Sequence, residues 1–512
     1  MRYKLPTVAA ISGTLALAAC SVGPDFVQPD PALPKRWYTS RTAAAPASTT
    51  GFSAAAQQPV DSAWWQVFHD PTLTSLEKRV ADANLDVKTA TVHLAESRSQ
   101  RGTVASAQLP DLKGSARYQH EKLSDPSIKG SLIDGLAGSS TISATGPTDL
   151  FTSGFDASWE LDLWGHVRRQ VEAADAQVRS SEEQRRGALL SSLAETARDY
   201  IQLRGTQTLI KIATDNLAIQ QDILHLTQTR QQRGLTTNLD VDNASAQVEA
   251  VRAELPSLEQ QEAQQINALS FLLDMAPDAL RGELAATKPV PPSPARIPIG
   301  IPSDLARRRP DIRAAEAQLH AATADIGVAV AEFYPTVQLN GAAGFDALKA
   351  GNLLTSSAIL TNVGPSISMP VFEGGRLKAT LELRKAQQME AAIAYHKTVL
   401  QAWHDVVNAL VAHRTEQQRR DRLAAQVKRS REALSLARLR YNDGVADFTT
   451  VLDTERTLLQ AEQNYAQSTT NISINLVQLY KALGGGWELT YPSPLPEPPI
   501  SAQRTPRTKN LT

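Results

Sequence analysis

The sequence predicts a mainly α protein with a small transmembrane β part, made from one unit used twice: two strands followed by a long helical hairpin. Three observations carry this. Val241, Val248, Leu255 and Leu269 return 210 positions later as Val451, Leu458, Tyr465 and Leu479, and Arg230, Gly234 and Leu273 return at the same offset as Arg440, Gly444 and Leu483. A repeat of that length means one architecture built twice. Short stretches alternate apolar and polar residues with period two, and long proline-free stretches step their apolar residues by three and four.

In chain order, residues 1–19 read as an export signal. Arg2 and Lys4 precede an apolar run that closes on Leu17-Ala18-Ala19-Cys20, too short to span as a mature helix. This resembles a bacterial lipoprotein signal, which leaves Cys20 as the new N-terminus carrying a covalent lipid. Cys20 is the single cysteine, so no intrachain disulfide framework exists. Residues 20–60, rich in Pro, Ser, Thr and Ala, are expected to form a lipidated, extended N-terminal segment.

Residues 61–280 form the first repeat. Its β-hairpin, 110–164, holds Leu112, Gly114, Ala116 and Tyr118 alternating with charged and polar neighbours. Its second strand sets Phe155, Ala157, Trp159, Leu161 and Leu163 against Asp156, Ser158, Glu160 and Asp162. One face suits hydrocarbon, which makes Trp159, Leu161 and Leu163 the candidate membrane-facing residues. A helical hairpin over 166–273 follows, reversing at Gly234. Residues 281–309 read as a Pro-rich linker.

The second repeat, 310–487, carries a β-hairpin over 335–373, with Val337, Leu339, Gly341 and Ala343, then Ile367, Met369 and Val371, on the apolar face. Its helical hairpin spans 375–483. Ile393, His396, Leu400, Trp403, Val407 and Leu410 form a seam that resumes at Leu423, Val427, Leu434, Ala437 and Tyr441. At ~1.5 Å per residue, a helix of some 65 residues is roughly 100 Å long. Gly484-Gly485-Gly486 ends the return helix, and 488–512 form a tail.

Composition narrows the function. The 512 residues carry a formal net charge of −1, without the basic excess that nucleic-acid binding needs. Ser75-Leu-Glu-Lys78 has an SxxK spacing but no companion motif, and HExxH, GxSxG and P-loop patterns are absent. His396, His404 and His413 do not share a helix face, and with one cysteine and four methionines a resident metal site is not expected. The sequence therefore predicts neither an enzyme nor a cofactor beyond the lipid. After Cys20 no apolar run reaches about 18 residues, so a membrane crossing must be a β-barrel. Four strands cannot close one alone. Two, three or four chains would give eight, twelve or sixteen strands.

Several blocks together resemble one family: Cys20-Ser-Val-Gly-Pro-Asp25, Trp64-Trp65, Trp159-Glu-Leu-Asp-Leu-Trp-Gly165, Ile301-Pro-Ser-Asp-Leu305, Arg307-Arg-Arg-Pro-Asp-Ile312 with Ala315-Glu316, and Leu479-Tyr-Lys-Ala-Leu-Gly-Gly-Gly-Trp487. They are similar to the NodT/OprM type of outer-membrane efflux lipoprotein, a branch of the TolC family. The resemblance implies a homotrimer with a twelve-stranded β-barrel on an α-helical barrel, lipid-anchored in the bacterial outer membrane. It implies partnership with a periplasmic adaptor and an inner-membrane pump, no catalysis, and export of drugs or other small toxic compounds. It also implies a periplasmic gate at Asp453, Thr449 and Thr450, and a hairpin-tip network through Tyr441 and Asp240. Thr450 replaces a second aspartate of the TolC-like ring, Ala446 its network arginine, and Thr449 the leucine of an OprM-like constriction. A type I protein-secretion conduit and a lipidated periplasmic adaptor remain alternatives.

Overall fold

The structure, a computed structural model, describes residues 21–30, 54–56, 61–121, 148–300, 302 and 305–488. Cys20 and the tail beyond Glu488 lie outside the described residues. The chain divides into two compact units. One comprises Met1–Gln28, Glu96–Val178 and Ala317–Ala392, the other Pro29–Ala95, Arg179–Glu316 and Ile393–Thr512. The elements in order are β1 (Ala54–Ala56), α1 (Pro71–Ala83), α2 (Leu85–Ala105), β2 (Asp111–Glu121), β3 (Thr148–Glu160), α3 (His166–Gln232), α4 (Asn238–Leu272), α5 (Arg281–Leu284), β4 (Arg296–Pro298), α6 (Leu305–Arg308), α7 (Pro310–Ala331), β5 (Thr336–Ala347), β6 (Ile359–Ser368), α8 (Arg376–Asn442) and α9 (Phe448–Leu483).

The first unit is organised by an antiparallel sheet in the order β2-β3-β5-β6. Pairing of Leu112 with Ala157, Trp159 with Leu339, and Val337 with Ile367 puts all the apolar alternants on one face. Asp156, Glu160, Gln338, Asn340, Asn362 and Ser366 share the other face. Asp111 pairs with Ser158, Glu160 with Gln338, and Thr336 with Ser368. The chain ends of all four strands that join helices α2, α3, α7 and α8 therefore lie at one end of the sheet.

Two details of the strands differ from the sequence expectation. β3 ends at Glu160 and β6 at Ser368, so Leu161, Leu163, Met369 and Val371 lie beyond the strands. Leu161 still donates its N–H to Val337 O at 2.8 Å, but Leu163 N bonds back to Leu161 O at 2.7 Å. That tight turn breaks the two-residue alternation, because the chain is already bending into α3.

The second unit is held by side chains from both repeats. Trp64 is fully buried and stacks on Tyr480 of α9, with ring centroids 5.4 Å apart. Asp70 caps α1 by accepting from Thr72 N and Leu73 N, and its other oxygen accepts from Tyr200 of α3 at 2.7 Å. Arg309 donates to Asp405 of α8 and to Ala482 O of α9. The guanidinium groups of Arg186 and Arg313 lie over the Trp487 ring, which donates its indole N–H to Arg308 O. The Arg-Arg-Pro segment thus fastens the glycine-rich end of the second repeat. The linker is also more ordered than a proline count suggests: it contains α5 and α6, and β4 pairs in parallel with β1.

The long helices match their expected spans closely, but one seam is displaced. Ile393 and Leu400 are exposed, whereas Tyr395, Val399, Ala402, Val406, Ala409 and His413 form the buried line of α8. A helix packed on two sides presents two adjacent apolar lines. Sequence alone does not say which of them its own chain covers.

Candidate gate and docking site at the hairpin tips

The two tips are built alike. Gly234 has φ 72° and Gly444 φ 73°, a left-handed conformation that costs glycine little and other residues more. Leu235 N bonds to Arg230 O and Gly234 N to Gln231 O; Val445 N bonds to Arg440 O and Gly444 N to Tyr441 O. These are paired Schellman stops. In that motif the apolar residue after the glycine commonly packs on its own helix. Here Leu235 and Val445 are 71% and 67% exposed, so both tips present an uncovered branched side chain.

Asp453, Thr449 and Thr450 are exposed together on the first turns of α9. Phe448, Val451 and Leu452 on the opposite side are buried. Phe448 and Leu452 pack with Ala244 of α4, against Ile223, Leu224 and Tyr441. Val451 packs with Leu434 and Ala437 of α8. This burial fixes the rotation of α9 and leaves the polar trio facing outward from the packed helices.

Tyr441 and Asp240, the residues of the tip network that the family resemblance implies, are not hydrogen-bonded to each other within the chain. Asp240 accepts from Thr236 Oγ1, and from Thr237 N and Oγ1 at 3.3 and 3.1 Å, completing a capping box at the start of α4. The Thr237-x-x-Asp240 spacing carried that signal in the sequence. The Tyr441 hydroxyl is buried with no hydrogen-bond partner. Its ring instead lies under Arg230, with Cζ 4.5 Å from the centroid, and packs on Phe448 at 5.5 Å.

A buried polar tie between repeats runs through residues that the sequence reading did not single out. Glu455 of α9, 3% exposed, accepts from Gln220 of α3 at 2.9 Å and from Arg438 of α8 at 2.5 Å. Its only sequence signal is a carboxylate four residues after Val451 and three before Leu458, on the seam side of the helix. Among the described residues no group of His, Cys, Asp and Glu could hold a metal ion, and no helix is long and apolar enough to cross a membrane.

The model of the family described as outer membrane efflux protein matches residues 77–274 and 301–485, once over each repeat. The chain belongs to this family. Outer membrane protein OprJ of Pseudomonas aeruginosa is 30% identical over 95% of this chain and 97% of its own length. The toluene efflux pump outer membrane protein TtgC of Pseudomonas putida is 30% identical over 92% of this chain and 93% of its own. Among solved structures, the outer-membrane channel OprN is 34% identical, with a TM-score of 0.82 covering 92% of this chain and 100% of that one. The open state of the MtrE outer membrane channel of Neisseria gonorrhoeae is 28% identical, with a TM-score of 0.74 over 91% and 99%. The protein is an outer-membrane efflux channel that extends into the periplasm, and its family and relatives are channel proteins.

Proposed function

We propose that three copies of the chain close one twelve-stranded barrel, and that the trimer is the passive exit duct of a tripartite pump for drugs, solvents or other small toxic compounds. The observation that carries this is the sheet: one apolar face, one polar face, and β2 and β6 as edges without a partner strand among the described residues. Within a bilayer every backbone N–H and C=O needs a partner, so those edges must be satisfied by another copy. The polar face then lines a wet lumen and the apolar face meets lipid.

The duct does no chemistry and needs no cofactor; the pump supplies the work. Leu235 and Val445 are the contacts offered to the periplasmic adaptor, since they repeat the same exposed geometry at both tips. Asp453, Thr449 and Thr450 form the gate, where three carboxylates around an axis favour cations. Cys20 carries the lipid that tethers the N-terminus to the membrane. The substrate class is supported by relatives named for toluene, solvent and antibiotic efflux.

Expression with its cognate adaptor and pump, in a strain lacking its own channel, should restore tolerance to toluene and amphipathic antibiotics. A monomer in mild detergent would overturn the shared barrel. Unchanged susceptibility combined with export of a protein substrate would replace the small-molecule reading with protein secretion.

A further inference from the structure

The segment after Cys20 is tied down within the first unit by contacts along its length. Val22 N donates to Trp164 O at 3.0 Å. A Cβ placed on Gly165 would meet Ser21 at 2.8 Å, and one on Gly23 would lie 2.5 Å from Gly327 Cα, so the strap touches backbone at both places. Arg169, whose side chain is 4% exposed, donates to Val22 O at 3.3 Å, to Asp25 at 2.6 Å and to Glu172 at 2.7 Å. Glu172 also bonds His320 at 2.9 Å, and Phe26 stacks on His320 with centroids 4.3 Å apart and planes 9° from parallel. Partial burial pushes the Glu172 carboxyl up, but hydrogen bonds from His320 and Arg169 outweigh it and hold the group below its ordinary range. The clip is therefore anionic at Glu172 and cationic at Arg169 at neutral pH.

The place where the strap lands is chemically distinctive. Trp164 stacks on Tyr334 at 4.9 Å and donates its indole N–H to Pro335 O at 2.8 Å. Phe333 and Tyr334 are 43% and 37% exposed. These residues stand at the end of the sheet where the strands give way to helices. Amphipathic aromatic rings at such a boundary mark the level of the lipid headgroups.

We propose that Ser21–Phe26, gripped by Arg169, Glu172 and His320, is a lipid-positioning clip: it delivers acyl chains carried by the residue before Ser21 to the aromatic boundary formed by Trp164, Phe333 and Tyr334. The proposal rests on lipidation of Cys20. Ser21 lies against Gly165, the residue after Trp164, so the described strap begins beside the aromatic boundary. A tether held this way sets the depth of the strand–helix boundary in the inner leaflet, beyond merely retaining the protein at a membrane.

The test is metabolic labelling of the full-length protein with a diazirine fatty acid, followed by ultraviolet cross-linking and peptide mapping. In the parent protein, adducts on this chain should concentrate at residues 161–164 and 333–335. The strap variant Asp25→Ala/Phe26→Ala should incorporate the same amount of label and assemble equally, while the share of adducts at those positions falls severalfold. Asp25→Asn, which removes only the ion pair with Arg169, is compared in the same way and should give a smaller fall. Adducts spread over the chain in the parent, or an unchanged pattern in both variants of a labelled protein, would overturn the clip and leave lipidation standing. A parent that takes up no fatty acid would overturn both.

Discussion

Arg438 donates to Glu455 at 2.5 Å, and the carboxylate it reaches is 2% exposed. With Gln220 on the other oxygen, three helices and both repeats meet at one buried charge. The positions offset by 210 residues are Ser430, Gln228 and Ser245, so the duplicated tip has no equivalent pair. Glu455→Gln should keep the shape and lose the charge pairing, loosening the junction modestly. Arg438→Met should be worse, because it leaves a buried carboxylate without its cation. The cost is about 2 kcal/mol, below that of a fully buried pair since Arg438 is partly exposed. The expected phenotype is raised uptake of a large antibiotic with unaltered ion selectivity, as the site faces other helices. Wild-type permeability in Arg438→Met would show that this junction does not hold the tip.

Tyr441 acts through its ring. Because its buried hydroxyl has no partner, Tyr441→Phe should be neutral or slightly stabilising. Tyr441→Ala removes the surface beneath Arg230 and beside Phe448 and should cost on the order of 3 kcal/mol. Thermal melts of the two variants in mild detergent separate these roles. A leaky or destabilised Phe variant would restore the hydrogen-bonded network that the family resemblance implies.

Much of the architecture was legible because it rests on local rules. Gly234 and Gly444 announce helix stops, and two-residue alternation around Trp159 announces a strand with unlike faces. What stayed hidden depends on which neighbour a side chain meets. Asp240 reads as a member of a network with Tyr441, whereas in the structure its Oδ2 is engaged in the cap of its own helix. Glu455 looked like any helix carboxylate because its burial comes from α3, more than two hundred residues away in sequence. Leu161 and Leu163 continued an apolar alternation past the point where the backbone turned, and pattern carries no record of that turn.

His413 provides a pH readout for the α8–α9 hairpin. It is 3% exposed on α8 and donates from Nδ1 to Ile472 O of α9 at 3.2 Å. Burial pushes its pKa down to about 4 from 6.5. The folded state therefore holds it neutral, while the unfolded chain takes up a proton below about pH 6.5. Its contribution is fully present above 6.5 and is lost as pH falls towards 4, with a slope approaching about 1.4 kcal/mol per pH unit. His413→Leu should flatten that part of the stability profile, measured by helical circular dichroism on heating between pH 7 and 4.5. An identical pH slope in the variant would assign the acid sensitivity elsewhere.

The sheet faces can be tested by a neighbouring pair. Trp159 lies on the apolar face, with Leu339 opposite it, and Glu160 on the polar face opposite Gln338. Trp159→Asp places a charge on the lipid side and should cost about 2 kcal/mol or less, since the residue lies near the strand end and the interface. Reduced yield or heat resistance of the trimer is the measurement. Glu160→Gln should assemble normally, losing only the charge in its contact with His166 at 3.2 Å. Equal damage from both would mean that the two faces had been exchanged or that neither meets lipid.

Asp453 decides the gate. It is exposed beside Thr449 and Thr450, while Val451 and Leu452 anchor the same turns of α9. In a threefold assembly with these faces inward, Asp453→Ala removes three carboxylates from one constriction. Cation selectivity should fall and block by divalent or trivalent cations should weaken in single-channel recordings, because the focused negative potential is gone. Conductance is the poorer measure: a smaller side chain widens the opening while the lost field lowers local cation concentration. Thr450→Asp is the converse test. It restores a second carboxylate one turn away on the same exposed face and should strengthen both selectivity and block. If Asp453→Ala retains wild-type selectivity and Thr450→Asp adds none, the polar face of α9 does not line the narrowest point.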